Sequence, residues 1–596
     1  MKKYVLLLCA MLCLVASTAI SQEPLSFRNR ALGGIVNDDL DLVYDPIELR
    51  FVDSLRLYTN LSNLTSTQEQ VFNNVSDNEF LFGISRKNPL LENLWSSVLA
   101  RVQKSKTPNG VFIDRDLNGI ADDFGTGELQ NEYMAYLDLN GDGLYDLRRS
   151  ISQRKSSLIQ TDGNAFVINN SMVFDTWTLG LKFVFGSQSV EGNTASAPLG
   201  TTRNMLVGST YGDPSFTRSV EEFLIDSNFT SLRWSQKGDF TTKQDNPLFR
   251  IAAGAMVPSG NFEFRGDVQY YPVKSTMETN DAYTGGFQYF NRNIVGFQRM
   301  YSETAANTGT TSTDGKAFGI GGSARYTFDK QPHRRNDGFV AAGISAVFES
   351  YDYSNTATGS LSGQETVFDG TGGFIDFTRL VNSATSSSDK GDGKNNAIQL
   401  AGRLNVPLAD GVMFGLGVFY TFANLERNTA YASDFMRLTN YTLTDTLQNS
   451  FDTVRTETSG MTADRTFKVK GRILSVPVGI EYYFTENRCW AIRFGSIFQY
   501  YTSTTDDVQQ ITGSKPFTVK TVLGNGVSSV SVQNNIYTSR SEHSVEAQSR
   551  TVFTYGIGYF PTNNLQIDVL GFFDVNNRVT LLEFLKSLRL SFVVKM

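Results

Sequence analysis

From Leu474 to Phe484 every second residue is apolar (Leu474, Val476, Val478, Ile480, Tyr482, Phe484), and Ser475, Pro477, Gly479, Glu481 and Tyr483 stand between them. This is the period of a β-strand with one apolar face. After a polar break the pattern resumes at Trp490, Ile492, Phe494, Phe498 and Tyr500, with Ala491, Arg493, Gly495, Gln499 and Tyr501 on the other parity. Both apolar sets must share one face, and a slip by one residue would turn a whole strand over, so the register is restricted. It pairs Phe484 with Trp490, Ile480 with Phe494 and Glu481 with Arg493, leaving Thr485 to Cys489 as the turn. Opposite charges then meet on the mixed face, as cross-strand pairing favours. Strands of about ten or more residues with aromatics near the ends of the apolar face predict a membrane-crossing hairpin. A large secreted β-sandwich carries the same alternation and is the competing fold.

Comparable patterns recur along the chain. Trp177, Leu179, Leu181, Phe183 and Phe185 alternate, and Phe249 to Val257 turn through Pro258–Asn261 into Phe262 to Tyr270. Phe318–Phe328 and Val340–Phe348 form a further candidate pair. Ile398 to Leu408 turns through Ala409-Asp410-Gly411 into Val412 to Phe422, a short hairpin in which the glycine takes the left-handed conformation. Phe553 to Tyr559 turns into Leu565 to Val569, and Leu588, Leu590, Phe592 and Val594 read as a closing strand that removes the sheet edge. Polar stretches near 352–396, 423–470 and 502–549 read as long loops between the hairpins. Short turns alternating with long loops suit an outer-membrane barrel of roughly 14–16 antiparallel strands. Leu90 to Lys104 has the mixed apolar spacing of a short amphipathic helix.

With 44 Phe and 25 Tyr but no run of about 20 apolar residues after the N-terminus, the chain does not suit helical membrane spans. Lys2 and Lys3 before an apolar run, followed by Ala16, Ser17, Ala19 and Ser21, read as a signal peptide over residues 1–21. Cys9 and Cys13 fall within it, so Cys489 stands alone and no disulfide framework forms in the remainder. The net charge of -7 gives no indication of nucleic acid, and acidic surface loops account for it.

Ala31-Leu-Gly-Gly34, then Asn37-Asp38-Asp39, then Tyr44-Asp45-Pro46-Ile47-Glu48-Leu49 follow the signal. This order resembles the N-terminal segment of the long-chain fatty acid transporter superfamily of outer-membrane barrels, which includes secretion-associated relatives. The resemblance implies an inward-folded plug, although Asp45, Ile47 and Glu48 depart from the family's box. A turn-rich segment shaped by its glycines and proline is the plainer reading.

Asp114-Arg-Asp116-Leu-Asn118-Gly119-Ile120-Ala-Asp122 and Asp138-Leu-Asn140-Gly-Asp142-Gly143-Leu144-Tyr-Asp146 share one frame. The first, third and fifth positions bring side-chain oxygens to one centre. The sixth glycine allows the turn, a backbone carbonyl at Ile120 or Leu144 adds a ligand, and the last Asp closes the shell. Hard oxygen donors at this spacing suit Ca2+, and the loops resemble thrombospondin type 3 and dockerin-like calcium loops. Position twelve holds Gly125 and Arg149 rather than Glu, which argues against an EF-hand. Asp/Asn-Gly turns held by side-chain to backbone bonds are the alternative.

The division expected is therefore a signal at 1–21, a plug-like segment at 22–63, a mixed segment with calcium loops at 64–163, and a mainly β transmembrane barrel at 164–596. His333 and His543, the only histidines, stand in no hydrolase or metalloprotease motif and read as loop residues, so no enzyme is expected. Glu481 and Arg493 read either as a lumen pair on a transport path or as a brace that stiffens a filled lumen. The expectation is a Gram-negative outer-membrane barrel, set in lipid, that binds or passes a hydrophobic or amphipathic small molecule. The alternatives are a scaffold or secretion-associated barrel that binds a cell-surface or secretion-system protein, and a soluble secreted calcium-binding β protein.

Overall fold

Alternating residues become strands only where both edges find partners, and in this protein the partners close a ring. The computed structural model describes residues 26–36, 38–52, 54–61, 76–89, 91–108, 110–113, 123–137, 147–193, 216–224, 230–291, 297–328, 338–368, 377–443, 452–484, 489–534, 536–562, 564–574 and 589–596. Among these, the ring is formed by β1 (Arg56–Leu61), β2 (Ser76–Lys87), β3 (Leu94–Pro108), β4 (Leu147–Phe174), β5 (Trp177–Asn193), β6 (Thr230–Ser259), β7 (Phe262–Asn291) and β8 (Phe297–Thr327). It continues through β9 (Phe339–Phe368), β10 (Phe377–Ala409), β11 (Val412–Leu443), β12 (Thr453–Tyr483), β13 (Trp490–Leu523), β14 (Arg540–Thr562), β15 (Leu565–Asp574) and β16 (Arg589–Lys595). Each strand pairs antiparallel with the next, and β16 returns to β1 through Phe592↔Thr59 while also pairing β15 through Phe592↔Ile567. The result is a closed cylinder with no second sheet packed on its outer face among the described residues, which decides against the sandwich.

The hairpin register reads as expected, with Glu481↔Arg493 and Ile480↔Phe494. Phe484 and Trp490 come together with ring centroids 6.4 Å apart. The short turns are tight. Ala409 pairs directly with Val412, so Asp410 and Gly411 alone make the turn, and Gly411 takes φ 75°. Ser259 pairs with Phe262 in the same way around Gly260.

The outward face is apolar over one membrane thickness. On β9, Val340, Ala342, Ile344, Ala346 and Phe348 share one parity, and Val340, Ile344 and Phe348 are exposed, whereas Ser350, Asp352, Ser354 and Thr356 continue it as polar residues. Nine residues at about 3.3 Å each, tilted by roughly 40°, cover about 23 Å, close to the height of a barrel's lipid-facing band. Aromatic side chains rim the band. Tyr270, Phe318 and Phe348 are direct cross-strand partners along one edge. At the other edge Trp490 lies against Tyr559 with centroids 4.2 Å apart, and Phe174 against Trp177 at 4.4 Å.

Three expectations are corrected. Residues 94–108 form strand β3 rather than a helix. The outward Val98 and Val102 and the inward Leu99 suit a two-residue period, which the mixed spacing of Leu and Val did not exclude. The polar stretches 352–396, 423–470 and 502–549 are mostly strand, not loop, because β9 to β14 run on past the membrane band. Their Ser, Thr, Asn and Gly residues keep ladder partners on both sides, as in Thr356↔Ser388 and Ser388↔Ala432, so no apolar face is needed to hold them. The cylinder also begins earlier than residue 164, at Arg56, and takes in β2 and β3.

Where β3 and β5 stop, Asp123–Leu137 and Phe216–Leu224 continue the ladder along β4. The twenty or so residues of β7 beyond its apolar band carry the wall about 50 Å further at the same rise and tilt.

Candidate functional site: the barrel lumen

The inward face is identified by what packs on it. Residues 26–52 form α1 (Phe27–Ala31), α2 (Asp39–Tyr44) and a short 3-10 turn, Glu48–Phe51. Leu40, Leu42, Val43, Leu49 and Val52 pack with Tyr58, Leu81, Leu99, Val167, Val184 and Val593 of the strands. Phe82, Val98, Phe166 and Phe183, of the opposite parity, are exposed on the outside. The segment therefore lies inside the cylinder, near the short-turn end.

Local chemistry shapes it. The Ser26 hydroxyl accepts from the Asn29 N–H to cap α1, and the Asp38 N–H donates to Asp41 at the start of α2. Gly33 and Gly34 take φ 73° and 84°, which lets the chain reverse between the two helices. Asp45 accepts from the Ile47 N–H at 2.9 Å and pairs with Arg265 on β7. Val43 and Tyr44 offer their carbonyl oxygens to Asn169 (2.8 Å, from Val43) and Lys182 (3.1 Å, from Tyr44) on the wall.

The wall has been pared to receive this segment. Gly415, Gly479 and Gly495 are direct cross-strand neighbours on β11, β12 and β13. A Cβ on Gly479 would lie 2.9 Å from the Leu32 carbonyl oxygen, and one on Gly495 would lie 2.4 Å from that of Ala31. On the far side a Cβ on Gly180 would meet the Pro46 carbonyl carbon at 2.7 Å. Only a bare backbone permits such approach.

Glu481 and Arg493 meet as expected, with Arg493 Nε donating to Glu481 at 2.7 Å, and both are almost wholly buried. They belong to a larger group. Arg28 reaches from α1 to the same carboxylate through Nε and Nη2 at 2.9 and 2.7 Å. Arg493 Nη1 also binds Asp568 at 2.5 Å, and Gln566 donates to Asp568 and to Asp38. Sequence reasoning missed Arg28, Asp38, Gln566 and Asp568. The parity of Gln566 and Asp568 between Leu565, Ile567 and Val569 was the available signal.

Above the apolar band the inner wall alternates rings and charges. Tyr271 and Asn395 donate to Glu349 at 2.7 and 2.8 Å. Arg299 and Arg379 share Glu365, and Arg465 binds Asp389 at 3.3 Å with Asp507 at 3.8 Å. Between these lies Arg427, its guanidinium carbon 4.1 Å from the Tyr353 ring centroid and 5.3 Å from that of Phe467. Burial pushes the phenols of Tyr351 and Tyr353 above their ordinary value, so both rings are neutral beside it.

The proposed calcium ligands Asp114, Asp116, Asn118, Ile120 and Asp122, and Asp138, Asn140, Asp142, Leu144 and Asp146, lie outside the described residues, as do the signal segment and His333. His543 stands on β14 rather than in a loop, with Nδ1 2.6 Å from Asp506 of β13.

No protein-family model and no curated protein matches the chain. Among solved structures, a ferric enterobactin receptor mutant from Pseudomonas aeruginosa aligns over 91% of this chain and 80% of its own, with 9% identity and a TM-score of 0.22. An outer-membrane transporter from Escherichia coli aligns over 91% and 81%, with 8% identity and a TM-score of 0.24. A siderophore receptor from Acinetobacter baumannii aligns over 91% and 80%, with 8% identity and a TM-score of 0.22. Superposition this loose transfers no residue and no ligand to the present chain.

Proposed function

We propose that this chain is a bacterial outer-membrane β-barrel that binds or transports a hydrophobic or amphipathic small molecule, with residues 26–52 as an internal plug at the periplasmic end. The observation that carries the reading is a closed cylinder, apolar outside over one membrane thickness, whose bore holds the chain's own N-terminal segment in a glycine-lined seat. Sixteen strands enclose a bore wide enough for an aqueous path, so a segment seated there is placed to govern passage. The rings of Tyr271, Tyr351, Tyr353 and Phe467 along the inner wall supply apolar surface in that path. Purified protein in liposomes should take up naphthalene-1-sulfonate, an amphipathic anion that crosses lipid slowly, faster than protein-free vesicles do. Uptake at the protein-free rate by both the full chain and a chain lacking 26–52 would overturn the transport reading.

A second reading has its own support: a simple pore has no need of a wall carried about 50 Å past the membrane. That projection suits a surface scaffold or secretion-associated barrel stiffened by calcium at the two acidic loops, between residues 113 and 147. If the loops hold calcium, chelation should lower the melting temperature of the full chain, and Asp138→Ala with Asp142→Ala, which removes one of the two loops' ligand sets, should reduce the response to chelator. An identical chelator response in wild type and double variant would remove the metal from the account.

A further inference from the structure

Most inward arginines of the projecting wall have their charge met by a carboxylate, as Arg465 does through Asp389 and Arg299 and Arg379 do through Glu365. Arg427 differs. It is half-buried, faces the lumen, and makes no ion pair or hydrogen bond with the described residues; its neighbours are aromatic.

The register explains how rings reach it. One row across the wall reads Tyr351↔Gly393↔Arg427↔Phe467, and the next reads Tyr353↔Gly391↔Thr429↔Arg465. Gly391 and Gly393 leave β10 bare between β9 and β11. A Cβ on Gly393 would fall 2.4 Å from the Tyr351 ring, so that ring lies over the glycine, and the Tyr353 ring spans the same gap to reach Arg427. Ring contact attracts the guanidinium charge without pairing it with a carboxylate. The five N–H donors of the guanidinium lie in the plane and point outward from the edge, in a fork that fits a carboxylate, sulfonate or phosphate. An anion bound at that edge would have aromatic surface on both sides for an attached apolar body.

We propose that Arg427, with Tyr351, Tyr353 and Phe467, forms a recognition point for an amphipathic organic anion, the charged head on the guanidinium edge and the apolar part along the rings. This rests on the reading of the lumen as a ligand path and narrows that ligand to an anionic one.

Equilibrium dialysis of the full chain in neutral detergent at low ionic strength tests it, with naphthalene-1-sulfonate and the uncharged 1-naphthalenemethanol as probes. The sulfonate should bind saturably and weaken as salt rises. Arg427→Gln should cut its affinity about tenfold or more, the loss expected for a charge-assisted pair. Arg427→Lys should restore part of it, and the Gln variant should leave the alcohol unchanged. Tyr353→Ala should weaken both probes. Each variant is first checked for the unheated gel mobility of the intact barrel. Equal sulfonate affinity in wild type and Arg427→Gln, or no saturable binding in wild type, would overturn the site. Arg427-dependent binding without liposome uptake would keep the site and remove transport, whereas uptake without such binding would do the reverse.

Discussion

A chain lacking residues 26–52 should show single-channel conductance in planar bilayers about tenfold or more above that of the full chain, because a bore of this strand number is an aqueous channel once emptied. The strands supply their own ladder closure through β16 and β1, so the cylinder does not depend on the segment for its hydrogen bonds. The segment is held by wall contacts that end when it leaves, chiefly Arg28 on Glu481, Arg265 on Asp45 and the apolar packing of Leu40, Val43 and Leu49. A milder route to the same state is Gly495→Leu. Its side chain would start from a Cβ position 2.4 Å from the Ala31 carbonyl oxygen, and the obstruction is backbone that cannot rotate away. That variant should raise conductance in part and expose residues 26–52 to added protease. Unchanged conductance in the deletion would show that something other than this segment closes the bore.

The sequence made the membrane band legible because each apolar strand segment carries its own evidence, a period of two with aromatics at the margins, and needs no partner to be recognised. The hairpin at Gly471–Tyr501 went further, since the apolar face and the Glu481–Arg493 pair together allow one register, and that is the register observed. The projecting wall was illegible for the converse reason. Stretches such as Ser383 to Gly393 are polar on both faces, so parity carries no contrast, and Ser, Asn and Gly argue locally for turns. Only partners far along the chain make them strands, as when Thr385 pairs with Gly359 on one side and Phe435 on the other. The same distance hid the buried network, in which Arg28 and Glu481 are separated by 453 residues. Gly479 and Gly495 were visible as small residues on the mixed face. Their use as a seat for Ala31 and Leu32 depends on a chain reversal at Gly33 and Gly34 that no periodicity encodes.

Arg493→Met should lower the stability of the folded barrel by about 3–5 kcal/mol, the usual consequence of removing one partner from a buried ion pair. The side chain is 0% exposed and is shared by two carboxylates, Glu481 at 2.7 Å on the adjacent β12 and Asp568 at 2.5 Å on β15, which Arg493 reaches across β14. Methionine fills much of the volume, so the loss reports charge and hydrogen bonds more than a cavity. The two acids then fare differently: among the described residues Glu481 keeps the fork of Arg28, whereas Asp568 keeps the amide of Gln566 alone. Asp568→Asn in the same chain should therefore recover part of the loss, and Glu481→Gln should recover less. Arg28→Met gives the contrast that separates brace from latch. Arg28 belongs to the inserted segment, so its removal should raise conductance while moving the denaturant midpoint of the barrel much less than Arg493→Met does. Equal midpoints for the two variants would mean that Arg493 serves only to hold the segment and does not brace β12, β13 and β15 as a unit.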